Sequence, residues 1–272
     1  MSTGSLTAED GCSLAYEDCG EGLPVLWQHG LGADRRQPAE VFPDVPGLRR
    51  ITLECRGHGK SALGDPSLLS IEQFAADAKA LLDHLRIDRV VLGGISLGAA
   101  ISMRLAAALP RRAEALILAR PAWVSQRAPF TMKPYLVIAE LLTEFGPTEG
   151  LLKFNQSEVL AVVESVSPDN AASLRSFFAR ETAESTIELL SRIPLDGPSL
   201  NEKDITALEV PTLIIANGEE YVHPLHYAER LRNLIPNAIL AIVTSKTVDK
   251  GLYQSQFRNA LTCFLQGHGV KS

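Results

Sequence analysis

The stretch that decides the fold is Gly94-Ile95-Ser96-Leu97-Gly98. It follows an apolar run at 90–92 and opens a helical pattern that continues to about Leu109, where Pro110 stops it. A G-x-S-x-G string between a strand and a helix puts the serine on a strained corner. The residues two before and two after the serine crowd each other there, so both must lack a side chain. The corner lifts the Ser96 hydroxyl above the sheet edge. It also aims the Leu97 N–H, with the helix N-terminus behind it, at a developing negative charge. Ser96 is therefore the candidate nucleophile, the alternative being a serine that only caps a helix in a tight turn.

Working outward, residues 6–16 read as a β-hairpin about an Asp10–Gly11 turn. Short apolar runs at 23–27 and 50–53 end in the glycine-containing turns His29-Gly30-Leu31-Gly32 and Glu54-Cys55-Arg56-Gly57, as buried parallel strands do. Residues 70–85 are the clearest helix: Ile71, Phe74, Ala78, Leu81, Leu82 and Leu85 share a face, and Ser70 with Gln73 spells a capping box. A strand at 115–119 follows the helix that Ser96 opens. Strand–helix alternation then lapses over 121–206, a helix-rich stretch punctuated by prolines. It resumes with a strand at 211–216, a helix from Pro224 to Leu234, a strand at 239–243 and a last helix carrying Tyr253, Phe257 and Leu261 on one face. This order predicts an α/β fold: a doubly wound, mostly parallel sheet made of residues 1–120 and 207–272, with a helical cap inserted at 121–206.

Composition narrows the function. The chain has 272 residues, 46% of them apolar, and a net charge of −6, so no basic stripe awaits nucleic acid. No apolar run is long enough to span a bilayer, and the N-terminus lacks the basic and apolar segments of a secretory signal. Cys12, Cys19, Cys55 and Cys263 lack metal-site spacing, which points to reduced thiols in the cytoplasm and to no metal or organic cofactor. The expected partner is a small-molecule substrate, and a homodimer stays open. The His29 turn supplies a second backbone donor opposite Leu97, for which the Leu31 N–H is the candidate. His58 reads as scaffold.

These motifs, in this order, resemble the α/β-hydrolase superfamily over nearly the whole chain. The likeness rests on the His29–Gly30 turn, the acidic-x-R-G-x-G-x-S turn at Glu54 to Ser61, the Gly94–Gly98 elbow and the closing strand–helix pair. It implies a catalytic triad in the order serine, acid, histidine. Such proteins carry the acid after the penultimate strand, four residues before a helix-starting proline. Here that position is Glu220, with Glu219 as the alternative. The histidine should follow the last strand, but counting back from Phe257 lands on Thr247, and no histidine lies between His226 and His268. The base is thus open between His223 and His226, which flank the acid loop but read as the N-cap before Pro224 and as first-turn scaffold, and Lys246, which would need a desolvated ammonium. The sequence also admits a chain with no base at all.

Arg36 and Arg120 lie near strand ends, where guanidinium groups suit an anionic substrate, and Trp123 begins the cap and could line an apolar pocket. The leading expectation is an ester or lactone hydrolase acting on a small carbonyl compound. The rivals are a receptor-like binder that keeps the pocket without turnover, and a lyase or isomerase using the same oxyanion donors.

Overall fold

Residues 90–95 carry no polar side chain, which suits a strand covered on both faces. They form the central strand of the computed structural model, which describes residues 2–267. In chain order the first half is β1 (Ser2–Thr7), β2 (Ser13–Gly20), β3 (Leu23–Gln28), α1 (Arg36–Val41), β4 (Leu48–Leu53), α2 (Ile71–His84), β5 (Val90–Ile95), α3 (Leu97–Ala108) and β6 (Ala113–Ala119). Five helices follow: α4 (Lys133–Asn155), α5 (Glu158–Val166), α6 (Pro168–Arg175), α7 (Ala183–Arg192) and α8 (Glu202–Thr206). The chain then closes with β7 (Thr212–Ala216), α9 (Leu225–Leu234), β8 (Ala238–Ile242) and α10 (Lys250–Gln266).

The eight strands make one sheet in the order β1-β2-β4-β3-β5-β6-β7-β8. β1 pairs antiparallel with β2, and β2 with β4, while the remaining neighbours are parallel. The hairpin turns through Gly11 at φ +85, a backbone that glycine adopts without strain. From β3 the chain steps to β4 on one side and then returns past β3 to β5 on the other. The order therefore reverses between β3 and β5, which opens a crevice beyond their carboxyl ends.

The central strands β3 to β7 are buried on both faces, while the edge strands β1 and β8 are partly exposed. α2 packs Ile71, Phe74, Ala78, Leu81 and Leu82 inward, and on the opposite face Trp27 meets Tyr253, Phe257 and Leu261 of α10. Burying each of these large side chains contributes about 1.5–3 kcal/mol. The capping box expected at α2 is only half formed. Ser70 Oγ accepts from the Gln73 N–H at 3.0 Å, but the Gln73 side chain turns to Asp77 at 2.9 Å. The reason is that Asp77 is a buried carboxylate and needs donors. It also takes Arg56 Nε at 2.7 Å and a second guanidinium nitrogen at 2.9 Å. Arg56 reaches on to Asp10, so one guanidinium ties the β1–β2 turn to α2.

Between β6 and β7 the helices α4 to α8 interrupt the sheet pattern. α4 bends at Gly146, φ +69, immediately before Pro147. Among the described residues no helix is long and apolar enough to cross a membrane, and no cluster of His, Cys, Asp and Glu is arranged to hold a metal.

Candidate active site

Ser96 sits at the carboxyl end of β5 with φ 57 and ψ −109, a conformation rare for a residue with a side chain. Its N–H donates to the Ala119 carbonyl at 2.9 Å, which holds the corner against β6. The two flanking glycines are required by backbone approach. A Cβ on Gly94 would stand 2.5 Å from the Gly98 carbonyl carbon, and one on Gly98 would stand 2.4 Å from the Gln28 oxygen. The first crowding is the one the spacing predicts. The second is different: Gly98 lets α3 rest on the end of β3.

The basic nitrogen facing Ser96 belongs to His223. Its Nε2 is 2.9 Å from Ser96 Oγ, and its Nδ1 is 3.0 Å from Glu220 Oε2. The hydrogen-bond partners assign the proton to Nδ1, which donates to the carboxylate, leaving Nε2 to accept from the serine hydroxyl. Both groups come from the β7–α9 loop. Pro224 keeps an extended backbone and α9 begins one residue later, so His223 does not cap that helix and its side chain is directed to β5.

Glu220 is saturated with donors. Oε1 accepts from Arg120 at 2.7 Å and from Asn217 Nδ2 at 3.0 Å, while Oε2 accepts from Asn170 Nδ2 at 2.9 Å and from His223. Burial alone would raise this carboxyl, but the Arg120 charge and the hydrogen bonds outweigh it and hold it well below the usual carboxylate range. Glu220 is therefore charged throughout the neutral range. His223 is pushed below its ordinary value, first by burial and then by Arg120, so it is neutral and able to accept a proton near neutrality.

The other sequence candidates lie elsewhere. Glu219 is exposed, and His226 is an exposed residue of α9 meeting the Tyr227 ring edge to face. Lys246, on the loop after β8, lines the Ser96 pocket, with its ammonium 5.1 Å from the Tyr253 ring centre. His58 is buried and its Nε2 accepts the Gly32 N–H at 2.9 Å, so it braces the turn after β3. Leu31, on that turn, lines the pocket, and among the described residues its N–H makes no hydrogen bond. The Leu97 N–H opens α3 and has no intrahelical acceptor.

The three substrate-binding expectations fare differently in the geometry. Arg36 is a largely solvated side chain paired with Asp34 at 2.6 Å, because the two lie on one short turn. Trp123 is buried, donates its indole N–H to the Asp196 carbonyl at 3.0 Å and does not line the Ser96 pocket; a large ring with a partnered N–H is stable as core. Arg120 does face the pocket, but its charge is engaged by Glu220.

Three contributors were not singled out from the sequence. Asn170 of α6 accepts the Tyr221 and Val222 N–H groups at 3.1 Å each and so clips the acid loop to the helical segment. Nothing local marks it, since its partners lie 50 or more residues away. Asn217 directly follows a strand, a position from which it could have been suspected. Gln37 accepts the Gly30 N–H at 2.7 Å and stiffens the turn that carries Leu31.

A family model described as alpha/beta hydrolase fold matches residues 24–247. The chain belongs to the α/β-hydrolase fold family. The AB hydrolase superfamily protein YisY of Bacillus subtilis is 24% identical over 252 residues, covering 86% of this chain and 88% of that protein. A non-heme haloperoxidase of Rhodococcus erythropolis is 29% identical over 262 residues, covering 87% and 89% respectively. Among solved structures, a thermophilic esterase from Thermogutta terrifontis superposes with a TM-score of 0.76 at 22% identity, over 99% of this chain and 100% of the other. Within this α/β-hydrolase, serine, carboxylate and imidazole follow one another in chain order, but carboxylate and imidazole are three residues apart on one loop. The loop after β8 carries Lys246 instead.

Proposed function

We propose that this α/β-hydrolase cleaves a small carboxylic ester or lactone through Ser96, His223 and Glu220. The observation that carries the reading is the single imidazole bridging Ser96 Oγ at 2.9 Å and Glu220 Oε2 at 3.0 Å. An imidazole held between a carboxylate and a serine hydroxyl in this geometry turns a poor nucleophile into an active one.

In the acylation step Ser96 Oγ attacks the substrate carbonyl carbon while His223 Nε2 takes the hydroxyl proton. The Leu31 and Leu97 N–H groups receive the negative oxygen as an oxyanion hole. The intermediate collapses by breaking the bond to the alkoxy oxygen, which leaves with the proton from His223. Water then attacks the acyl-enzyme, again giving its proton to Nε2. Release of the acid returns that proton to Ser96. Glu220 stays ionised throughout and stabilises the imidazolium. The pocket over Ser96 is about 210 Å³, room for a small acyl group, and the helices of 121–206 act as its cap.

Intact mass after exposure to a fluorophosphonate tests the reading. One adduct on the wild type, missing from both Ser96→Ala and His223→Gln, is the expected result. A folded wild type that stays unlabelled overturns it.

A further inference from the structure

Two cations on the cleft have no carboxylate partner among the described residues. Lys246 lines both the Ser96 pocket and an adjoining cleft of about 870 Å³. Among the described residues its ammonium partner is the Tyr253 ring. Arg180, in the turn after α6, lines the same larger cleft. Its guanidinium lies 4.1 Å over the Phe177 ring, and its Nε is buried without a hydrogen-bond partner. It packs so tightly on Gly32 that a Cβ there would be 2.7 Å from a guanidinium nitrogen, which sets Arg180 beside the turn carrying Leu31.

Desolvating a cation without an anion is costly, and an unpaired guanidinium nitrogen adds to that cost. Burial lowers both groups accordingly. The nearby acids do not relieve them. Asp34 is held by Arg36, and Asp169 and Glu40 influence Lys246 without forming an ion pair with it. A ligand carboxylate would meet both needs, and Gln37 and Lys246 line both volumes, so one molecule can extend from Ser96 into the cleft.

We infer that the substrate is an ester or lactone bearing a carboxylate, with its carbonyl at Ser96 and its carboxylate received by Lys246 and Arg180. The inference rests on the hydrolase reading above, and its test separates the two. The probes are p-nitrophenyl pentanoate and p-nitrophenyl hydrogen glutarate, which differ by a terminal methyl against a carboxylate. The wild type should favour the glutarate in kcat/KM, and Lys246→Gln or Arg180→Gln should reduce that preference on the order of tenfold. Lys246→Arg should retain it, which guards against a trivial folding defect. Ser96-dependent hydrolysis of both esters with no preference, or with a preference untouched by either Gln variant, overturns the carboxylate site and leaves the hydrolase reading standing. If neither ester turns over, calorimetry of glutarate with the unmodified protein and Lys246→Gln decides. Binding that depends on Lys246 keeps the anion site and no binding removes it, while fluorophosphonate labelling of Ser96 decides the hydrolase reading separately.

Discussion

Arg120 and Glu220 form a buried ion pair, 2.7 Å apart, on the carboxylate oxygen opposite the one that holds His223. The carboxylate is therefore shared between a permanent cation and a titrating one. Arg120 stabilises the ionised carboxylate and at the same time opposes a second positive charge on the imidazole, helping to keep His223 neutral.

Arg120→Gln should accordingly move the acidic limb of the kcat/KM profile to higher pH. Removing the guanidinium removes one of the three influences that depress His223 (burial, Arg120 and Lys246), so the histidine takes its proton earlier as pH falls. The variant should also lose about 3–5 kcal/mol of stability, because Glu220 is left as a buried charge with fewer donors. Rates measured from pH 4 to 9, with chemical denaturation alongside, check both points. An unmoved limb contradicts this role for Arg120.

His223→Gln should reduce esterase kcat/KM by about 10⁶-fold, and Glu220→Gln by about 10⁴-fold. His226→Gln, on the exposed face of α9, should leave it unchanged. If His226→Gln is the inactive variant instead, the assignment of the base is wrong.

Gly94→Ala and Gly98→Ala should both destabilise the protein severely, as their Cβ atoms would fall within 2.6 Å of backbone atoms that cannot move aside. Melting temperatures well below the wild type, or insoluble expression, are the expected result. Near-normal melting of either variant would show that the corner can relax.

Stability should fall on mild acidification. His29 and His58 are held below their ordinary values chiefly by burial, so in the folded state they remain neutral. Above about pH 6.5 they are neutral in the unfolded chain too and contribute no pH dependence. As pH drops below that value the unfolded chain gains protons that the folded one refuses. Each histidine then costs about 1.4 kcal/mol per pH unit until its folded-state value is reached. A melting temperature that is flat from pH 8 to 7 and declines from 6.5 to 5 is expected; one that stays flat to pH 5 contradicts the account.

The family and the doubly wound, mostly parallel architecture were legible because each depends on local pattern, whereas the strand order was not. Turn glycines, apolar runs and the 3.6-residue face of α2 record what the neighbouring backbone must do, and the elbow motif places Ser96 at a strand end before any contact is known. Element ends were less legible. β5 runs three residues past its expected stop at 92, because Gly93 and Gly94 still pair with β6. The Gln73 cap failed for a similar reason, since a buried carboxylate one helical turn away competed for its side chain.

The sequence by itself determined that this chain is an α/β-hydrolase with Ser96 on a strained corner and acids in the loop after the penultimate strand. Only the tertiary structure decided which nitrogen faces that serine, which acid is buried and where the free cations lie. Ser96 and His223 are 127 residues apart, and Asn170 and Glu220 are 50 apart. Side chains so distant meet because β5, β6 and β7 are successive parallel strands whose carboxyl ends open on one sheet edge, with α6 of the inserted helices folded back against the β7–α9 loop. No local spacing encodes the direction in which a loop histidine points; that is set by the packing and charge of everything assembled around it.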